Sequence, residues 1–298
     1  MVVYHKTVLE VNMVQNSKNE LGQFIPLHYH YNMLQDVERM QRFKNGINEV
    51  LRPGDTVLEL GGGTGVLSFF AANKAKKVYT VEYNPELVRE AKRILRLNPN
   101  GEKVEVIHAD AMEFVPEEKI DVVVCEMLHV GLLREKQTEV IHAFKKNYAK
   151  KHGSHMPFFI PCATQNAFQP VQHDFNFTGY TAPVILFQDP YSLHGRTAEL
   201  GNPVLYHQLV YGEKFDNFCS YSGNIQIQNS GILNAFRLIT KSILSFSEKG
   251  TTDWHSQYML VPLETPLDVR AGMEIEVSFG YEFGADLAAM KPDVKEMT

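Results

Sequence analysis

Apolar residues fall along the first half of the chain in two alternating rhythms. From Leu27 onward, Met33, Leu34, Val37, Met40, Phe43, Ile47 and Val50 recur at three- and four-residue steps, placing an apolar stripe on one face of a helix or a pair of short helices. Arg52-Pro53-Gly54-Asp55 closes that segment with turn residues. Mostly apolar runs of strand length follow at Thr56 to Leu60, Lys77 to Val81, Val104 to His108 and Ile120 to Cys125, the last of the kind expected of a strand covered on both faces. A buried helix is expected from the glycines after Leu60 to about Lys76. Another runs from about Pro85, a residue suited to a first helical turn, to Leu97, where Asn98-Pro99-Asn100-Gly101 stops it. Strands alternating with helices imply a right-handed, doubly wound parallel sheet.

Near Gly153 the rhythm changes. Beyond Phe158 the runs are short and alternating or β-branched, among them Val204 to Tyr211, Asn224 to Gln228, Phe236 to Phe246, Gln257 to Val261 and Met273 to Phe283, with Pro-, Gly- and Asn-rich turns between them. The expected fold class is therefore α/β: an N-terminal segment over residues 1–24, a Rossmann-like doubly wound parallel sheet over residues 25–157, and a mainly β, barrel-like domain over residues 158–298. Barrel and sandwich both remain open for the last part.

Composition narrows the partners. With 298 residues, 44% of them hydrophobic, the chain can bury a large core. No window reaches the roughly 18 apolar residues of a membrane span, and the first residues lack a signal-peptide core, so a cytoplasmic protein with no membrane partner is expected. A net charge of -6 gives no electrostatic footprint for nucleic acid. Cys125, Cys162 and Cys219 are odd in number and widely spaced, against both a disulfide framework and a structural zinc site, and no cluster has metal-ligand spacing.

The candidate chemistry begins at Val57 to Ser68, VLELGGGTGVLS. A strand, a glycine turn and a helix opening toward the turn make a nucleotide-type site. The dinucleotide pattern G-x-G-x-x-G fails, because Val66 or Ser68 stands where its third glycine should be. The frame that fits is Glu59-x-Gly61-x-Gly63-x-Gly65. A carboxylate two residues before the first glycine opposes a pyrophosphate and suits an ammonium group. S-adenosylmethionine carries an α-amino group, a ribose and an adenine without phosphate, and the spacing resembles motif I of the class I S-adenosylmethionine-dependent methyltransferases. That resemblance implies a ribose diol on Glu82, at the end of the second strand, and the adenine amino group near Asp110 and Ala111, after the third.

After the fourth strand, Glu126 and Glu135 flank an apolar loop, Met127-Leu128-His129-Val130-Gly131-Leu132-Leu133-Arg134. The pair resembles the double-glutamate loop of the protein arginine methyltransferases, in which both carboxylates grip a guanidinium. Two planar carboxylates match that fork and hold it for attack. Arg39, in Met33-Leu34-Gln35-Asp36-Val37-Glu38-Arg39, aligns with the family's Met-Leu-x-Asp-x-x-Arg pattern, whose arginine would pair with the donor's carboxylate. Phe159-Ile160-Pro161 resembles the entry into the family's barrel, and Thr252-Asp253-Trp254 its Thr-His-Trp loop. Asp253 and Trp254 are thus candidate substrate contacts, as is His30, in the His28-Tyr29-His30-Tyr31 run that precedes the helix expected to cover the donor. His152 and His155 read as solvated turn residues.

Departures from the family's pattern bear on the substrate. The N-terminal Tyr-Phe-x-x-Tyr signature is missing, with Leu21 and Phe24 near its positions; His129 stands for a glycine of the double-glutamate loop; Asp253 stands for the histidine of the Thr-His-Trp loop. Residues 184–215 show no clear dimerisation arm, and the resemblance leaves a homodimer open. The expectation is an N-methyltransferase using S-adenosylmethionine, with Glu126 and Glu135 orienting an amine or guanidinium acceptor in a protein or a small molecule. A donor-binding scaffold without catalysis and an RNA methyltransferase are the alternatives. The acidic charge and the lack of an Asn/Asp-Pro-Pro-Tyr motif count against the second.

Overall fold

A computed structural model describes residues 25, 27–247 and 250–296; the expected N-terminal segment over residues 1–24, with Leu21 and Phe24, lies outside them. The apolar stripe after Leu27 folds as two helices, α1 (Leu27–Gln35) and α2 (Val37–Val50). The break falls at Asp36, whose carboxylate accepts the Arg39 N–H at 2.9 Å and caps α2. Phe43 and Ile47 of α2 are buried, whereas α1 buries no residue completely.

Five strands and three helices follow, alternating except between β3 and β4: β1 (Thr56–Leu60), α3 (Val66–Ala72), β2 (Lys77–Glu82), α4 (Pro85–Leu95), β3 (Val104–His108), β4 (Val122–Cys125), α5 (Gln137–His152) and β5 (Phe158–Ile160). They form one sheet in the order β3-β2-β1-β4-β5, with every neighbour parallel. All five residues of β1 are buried, as its apolar run requires. The strand order reverses between β1 and β4, and at such a point the C-terminal strand ends splay into a crevice.

Residues 158–160 belong to this sheet, Val124 pairing with Ile160, so the change of architecture falls after Ile160 rather than before Phe158. The cause is α5, which carries the chain back along the sheet and sets it down beside β4. Its Phe144 and Tyr148 are fully buried, and the Tyr148 hydroxyl accepts the Ile120 N–H at 2.7 Å. His152 and His155 are not merely solvated: their Nε2 atoms lie 3.0 and 2.9 Å from the carbonyls of Pro116 and Ile120 and tie the end of α5 to the segment before β4.

The remainder is mainly β: β6 (Ala163–His173), β7 (Asn176–Phe177), β8 (Tyr180–Thr181), β9 (Leu186–Gln188), β10 (Thr197–Glu199), β11 (Val204–Val210), β12 (Phe218–Gln226), β13 (Gly231–Ser247), β14 (Gly250–His255), β15 (Tyr258–Val269), β16 (Glu274–Glu282) and β17 (Asp293–Glu296). A seven-stranded sheet runs β10-β6-β13-β15-β9, with β11 also on β6 and β14 on β13; a three-stranded sheet runs β12-β16-β17. The two share an aromatic core in which Phe168 meets Tyr221, Phe236 and Phe279 edge-on, at centroid distances of 4.9, 5.3 and 5.4 Å. The helix α2 lies against this half as well: Glu49 accepts hydrogen bonds from Ser245 Oγ and, at 2.7 Å, from Thr252 Oγ1. Among the described residues no helix is long and apolar enough to cross a membrane.

Candidate active site

The C-terminal ends of β1, β2 and β4 border a cavity of about 560 Å³, the size of a small-molecule site. At its floor Glu59 is 3% exposed. The Ser68 N–H at 3.0 Å, the Thr80 hydroxyl at 3.1 Å and the Ser68 hydroxyl all donate to Oε2, and Oε1 takes none of these bonds. Burial pushes the Glu59 carboxyl up to about 7, with those hydrogen bonds pulling against it. The turn then folds over β2: the N–H groups of Gly61 and Gly62 both donate to the Val81 carbonyl at 2.9 Å, and that of Gly63 to Glu82 Oε2 at 2.9 Å. A Cβ at Gly62 would stand 1.9 Å from Thr80 Oγ1, so only glycine lets the turn lie this close to the strand that steadies Glu59. Glu82 Oε1 accepts the Asn84 N–H at 2.7 Å. His30, on α1, lies on the turn so closely that a Cβ at Gly63 would meet its ring at 2.6 Å. Its Nε2 is buried without a partner, and burial pushes the ring down to about 4, which leaves it neutral.

The opposite wall is the loop from Glu126 to Lys136. Gln137, the first residue of α5, closes its base by donating to the Cys125 carbonyl at 2.6 Å and accepting the Met127 N–H at 2.9 Å. Further along, Gly131 donates to Thr240 Oγ1 at 2.7 Å and accepts the Tyr281 hydroxyl at 2.9 Å, while the Arg134 N–H reaches the Ala285 carbonyl at 2.7 Å. The β-rich half therefore sets the path of this loop, which passes through positive φ at Gly131, Leu132 and Arg134. Glu126 pairs with Arg39 Nη2. Burial pushes the Glu126 carboxyl up even so, against the pull of the guanidinium. Glu135 rises to about 8, through burial first and the charge of Glu126 second. At neutral pH one carboxyl is thus matched by Arg39 and the other holds its proton.

Most residues singled out in the sequence border this one cavity. Glu59, Gly61, Gly63, Glu82, Asp110, Ala111, Arg39, Glu126 and Glu135 all line it, as do His30 and Trp254. Asp110 Oδ1 also accepts the Met112 N–H at 2.8 Å. Two residues lie off the cavity wall. Gly65, at φ 82, is the N-cap of α3, with Leu95 3.1 Å from where its Cβ would be. Asp253 pairs with Lys241 at 3.5 Å, because successive side chains on β14 face opposite ways and Trp254 is the one turned inward. Arg39 engages Glu126 through Nη2, its guanidinium lying 5.6 Å from the Phe43 ring and 6.0 Å from the Trp254 ring. The His28 to Tyr31 run lies inside α1 and does not precede it.

Other residues at the site escaped the sequence reading. Ser68 was within reach, as a hydroxyl on the buried face of the helix that the glycine turn opens. Thr80 and Gln137 act through their hydrogen bonds alone and carry no local signal. Phe187, on β9, reaches the cavity only through the pairing of that strand with β15. Among the described residues no group of three or more His, Cys, Asp or Glu could hold a metal ion.

Residues 57–151 match a family model described as a methyltransferase domain. Over 265 aligned positions the chain is 27% identical to an uncharacterized protein of Methanocaldococcus jannaschii, covering 88% of this chain and 95% of that one. Over 309 aligned positions it is 25% identical to protein arginine N-methyltransferase 2 of Xenopus tropicalis, covering 92% and 70%. Among solved structures, the Trypanosoma brucei PRMT1 enzyme-prozyme heterotetrameric complex with AdoHcy is similar in fold, with a TM-score of 0.72 at 15% identity, covering 91% of this chain and 98% of that one. The chain is an S-adenosylmethionine-dependent methyltransferase, and its architecture resembles that of the protein arginine methyltransferases.

Proposed function

We propose that this chain transfers a methyl group to a nitrogen of a cationic acceptor, a guanidinium or an amine, held by Glu126 and Glu135. The observation that carries the reading is that two largely buried carboxyls on one loop open onto the same cavity as Glu59 and the glycine turn. S-adenosylmethionine, when bound, supplies a methyl group on an electrophilic sulfonium. The residues fit it: Glu59 is a buried carboxyl whose Oε1 is left for an ammonium group, and Glu82 borders the cavity where a diol would be held. Asp110 and Ala111 are assigned to the adenine end. Arg39 keeps Nη2 on Glu126 and offers its other N–H groups to the donor's carboxylate. A cationic acceptor displaces the proton that Glu135 holds below about pH 8, so acceptor binding strengthens as pH rises toward that value. Orientation does most of the work in such a transfer, and the acceptor's proton leaves to Glu126 or to solvent.

The acceptor is the guanidinium of an arginine in a protein or a small basic metabolite. The same reading includes a homodimer, supported by apolar side chains that stand exposed between β6 and β11, with Leu193 wholly exposed and Tyr180, Val184 and Tyr191 half-exposed or more. To test the acceptor class, a cell lysate is incubated with methyl-labelled donor and the intact chain, and the labelled products are identified by mass spectrometry. Label is expected on the nitrogen of a basic group. Glu126→Gln and Glu135→Gln should each lower turnover of that product at least about a hundredfold, with donor affinity within about threefold of the parent. Label on oxygen or on a nucleobase, or unchanged turnover in both variants, would overturn the reading.

A further inference from the structure

Between the two glutamates of the loop, His129 also lines the cavity. Its Nδ1 is buried and has no hydrogen-bond partner. Polar atoms in that condition are uncommon in folded proteins, and one at a cavity wall is satisfied when something fills the cavity. Its backbone is anchored and its ring is packed. On its own loop, the His129 carbonyl accepts the Leu132 N–H at 2.9 Å, just before the anchor of Gly131 on Thr240. Beside it, Phe187 meets the imidazole edge-on at 5.4 Å with an interplanar angle of 86°. Phe187 is fixed in turn by the pairing of β9 with β15 and by its neighbour Gln188, whose Oε1 accepts Arg237 Nε at 3.2 Å. The ring is therefore a positioned group.

We infer that His129 recognises the methyl acceptor, its Nδ1 taking one N–H of the acceptor's cationic group beside Glu126 and Glu135. This rests on the reading that the loop's end of the cavity takes a cationic acceptor. A cation of that kind brings only N–H donors, so the ring presents the Nδ1 lone pair and carries its own proton on Nε2. A third carboxylate here would add charge that no second cation balances; a neutral imidazole adds direction without charge. The number of donors then matters. In a primary ammonium all three contacts fall on the one nitrogen that would have to be methylated, and they crowd it. A monosubstituted guanidinium spreads five N–H groups over three nitrogens, so the three contacts can fall on two of them and leave the third open. His129 thus favours guanidinium compounds over amines of the same size.

The test uses the intact chain saturated with S-adenosylhomocysteine and ethylguanidinium as the probe, with ethylammonium beside it. With ¹⁵N-labelled histidine, the His129 signals are assigned by their loss in His129→Asn. The Nδ1 signal is expected to move along the ethylguanidinium binding curve and to report the Nε2–H tautomer. His129→Asn, whose Oδ1 replaces the acceptor atom, should keep the probe's Kd within about threefold. His129→Phe, which fills the volume without an acceptor, should weaken it about tenfold and erase the preference over ethylammonium. Both variants should bind S-adenosylhomocysteine as the parent does, which shows that they are folded. Probe binding that is lost in Glu135→Gln but unchanged in His129→Phe, or an Nδ1 signal unmoved at saturation, overturns the role of His129 alone. A probe that does not bind the parent overturns the acceptor site itself, and this inference with it.

Discussion

Burying Glu59 sets stability against binding at a single residue. Its carboxyl ionises near 4.5 in an unfolded chain but keeps its proton to about 7 when folded. Between those values the folded state holds the extra proton, so this residue's contribution to stability falls as pH rises, and the full cost stands above about pH 7. Glu59→Gln keeps an oxygen for Ser68 and Thr80 and carries no charge to bury. At pH 8 it should unfold in urea with about 3 kcal/mol more stability than the parent, and at pH 4.5 with nearly the same stability. A bound ammonium offsets the same cost in the parent, so the variant should bind S-adenosylmethionine at least about tenfold more weakly by calorimetry. Equal stability of the two proteins at pH 8 would show that the buried charge costs nothing. The place of Glu59 was legible because a carboxylate inside an apolar strand, two residues before a glycine turn, is costly to bury unless a cation comes to balance it. That of Asp253 was not, because the inward face of β14 depends on its pairing with β13, where the register shifts between Ile243 and Ser245.

Elements whose sequence pattern matches their burial were readable, and those that bury polar side chains were not. β1 falls on the expected residues, because a strand covered by helices needs only an apolar run. β6 is the counter-case. It is an inner strand of the seven-stranded sheet, flanked by β10, β11 and β13, yet its sequence ATQNAFQPVQH carries Pro170 and few β-branched residues. Its buried Asn166 accepts the Thr240 hydroxyl at 2.7 Å, and its buried Gln169 binds the Gly201 carbonyl and Arg237 at 3.0 Å each, so tertiary partners replace the apolar pattern. The loop between β4 and α5 depends on such a partner too. Gln137→Leu strips the Cys125 carbonyl and the Met127 N–H of their hydrogen bonds without offering water a way in. We expect a loss of about 2 kcal/mol or more in urea unfolding, and a drop in turnover that exceeds any loss of donor affinity, because the loop aims Glu126 and Glu135. Parent-like turnover in this variant would mean that the anchors on Thr240, Tyr281 and Ala285 suffice to hold the loop.

At the scale of the whole molecule, the cavity takes one wall from the parallel sheet and its loops and another from the β-rich half, and α2 joins the two. Arg39 and Phe43 meet Trp254, Glu49 binds Ser245 and Thr252, and between them Gly46 faces β13 so closely that a Cβ there would lie 2.6 Å from Leu244 Cβ. Nothing within residues 37–50 announces this contact, because a helical glycine reads as a weak spot until its distant neighbour is known. Helix propensity alone says that Gly46→Ala stabilises by about 1 kcal/mol. The clash decides otherwise: Leu244 Cβ is fixed to a buried strand and cannot swing aside, so helix and sheet must separate, at a cost of about 1–3 kcal/mol that outweighs the propensity gain. Gly212→Ala is the control, since it meets nothing within 4 Å and lies in a turn. Thermal unfolding should therefore show Gly46→Ala melting below the parent and Gly212→Ala with it, and turnover of Gly46→Ala should fall as Arg39 shifts against Glu126. Equal melting of the two variants would mean that the helix can part from the β-rich half without loss, and that something other than α2 holds the two walls of the cavity in register.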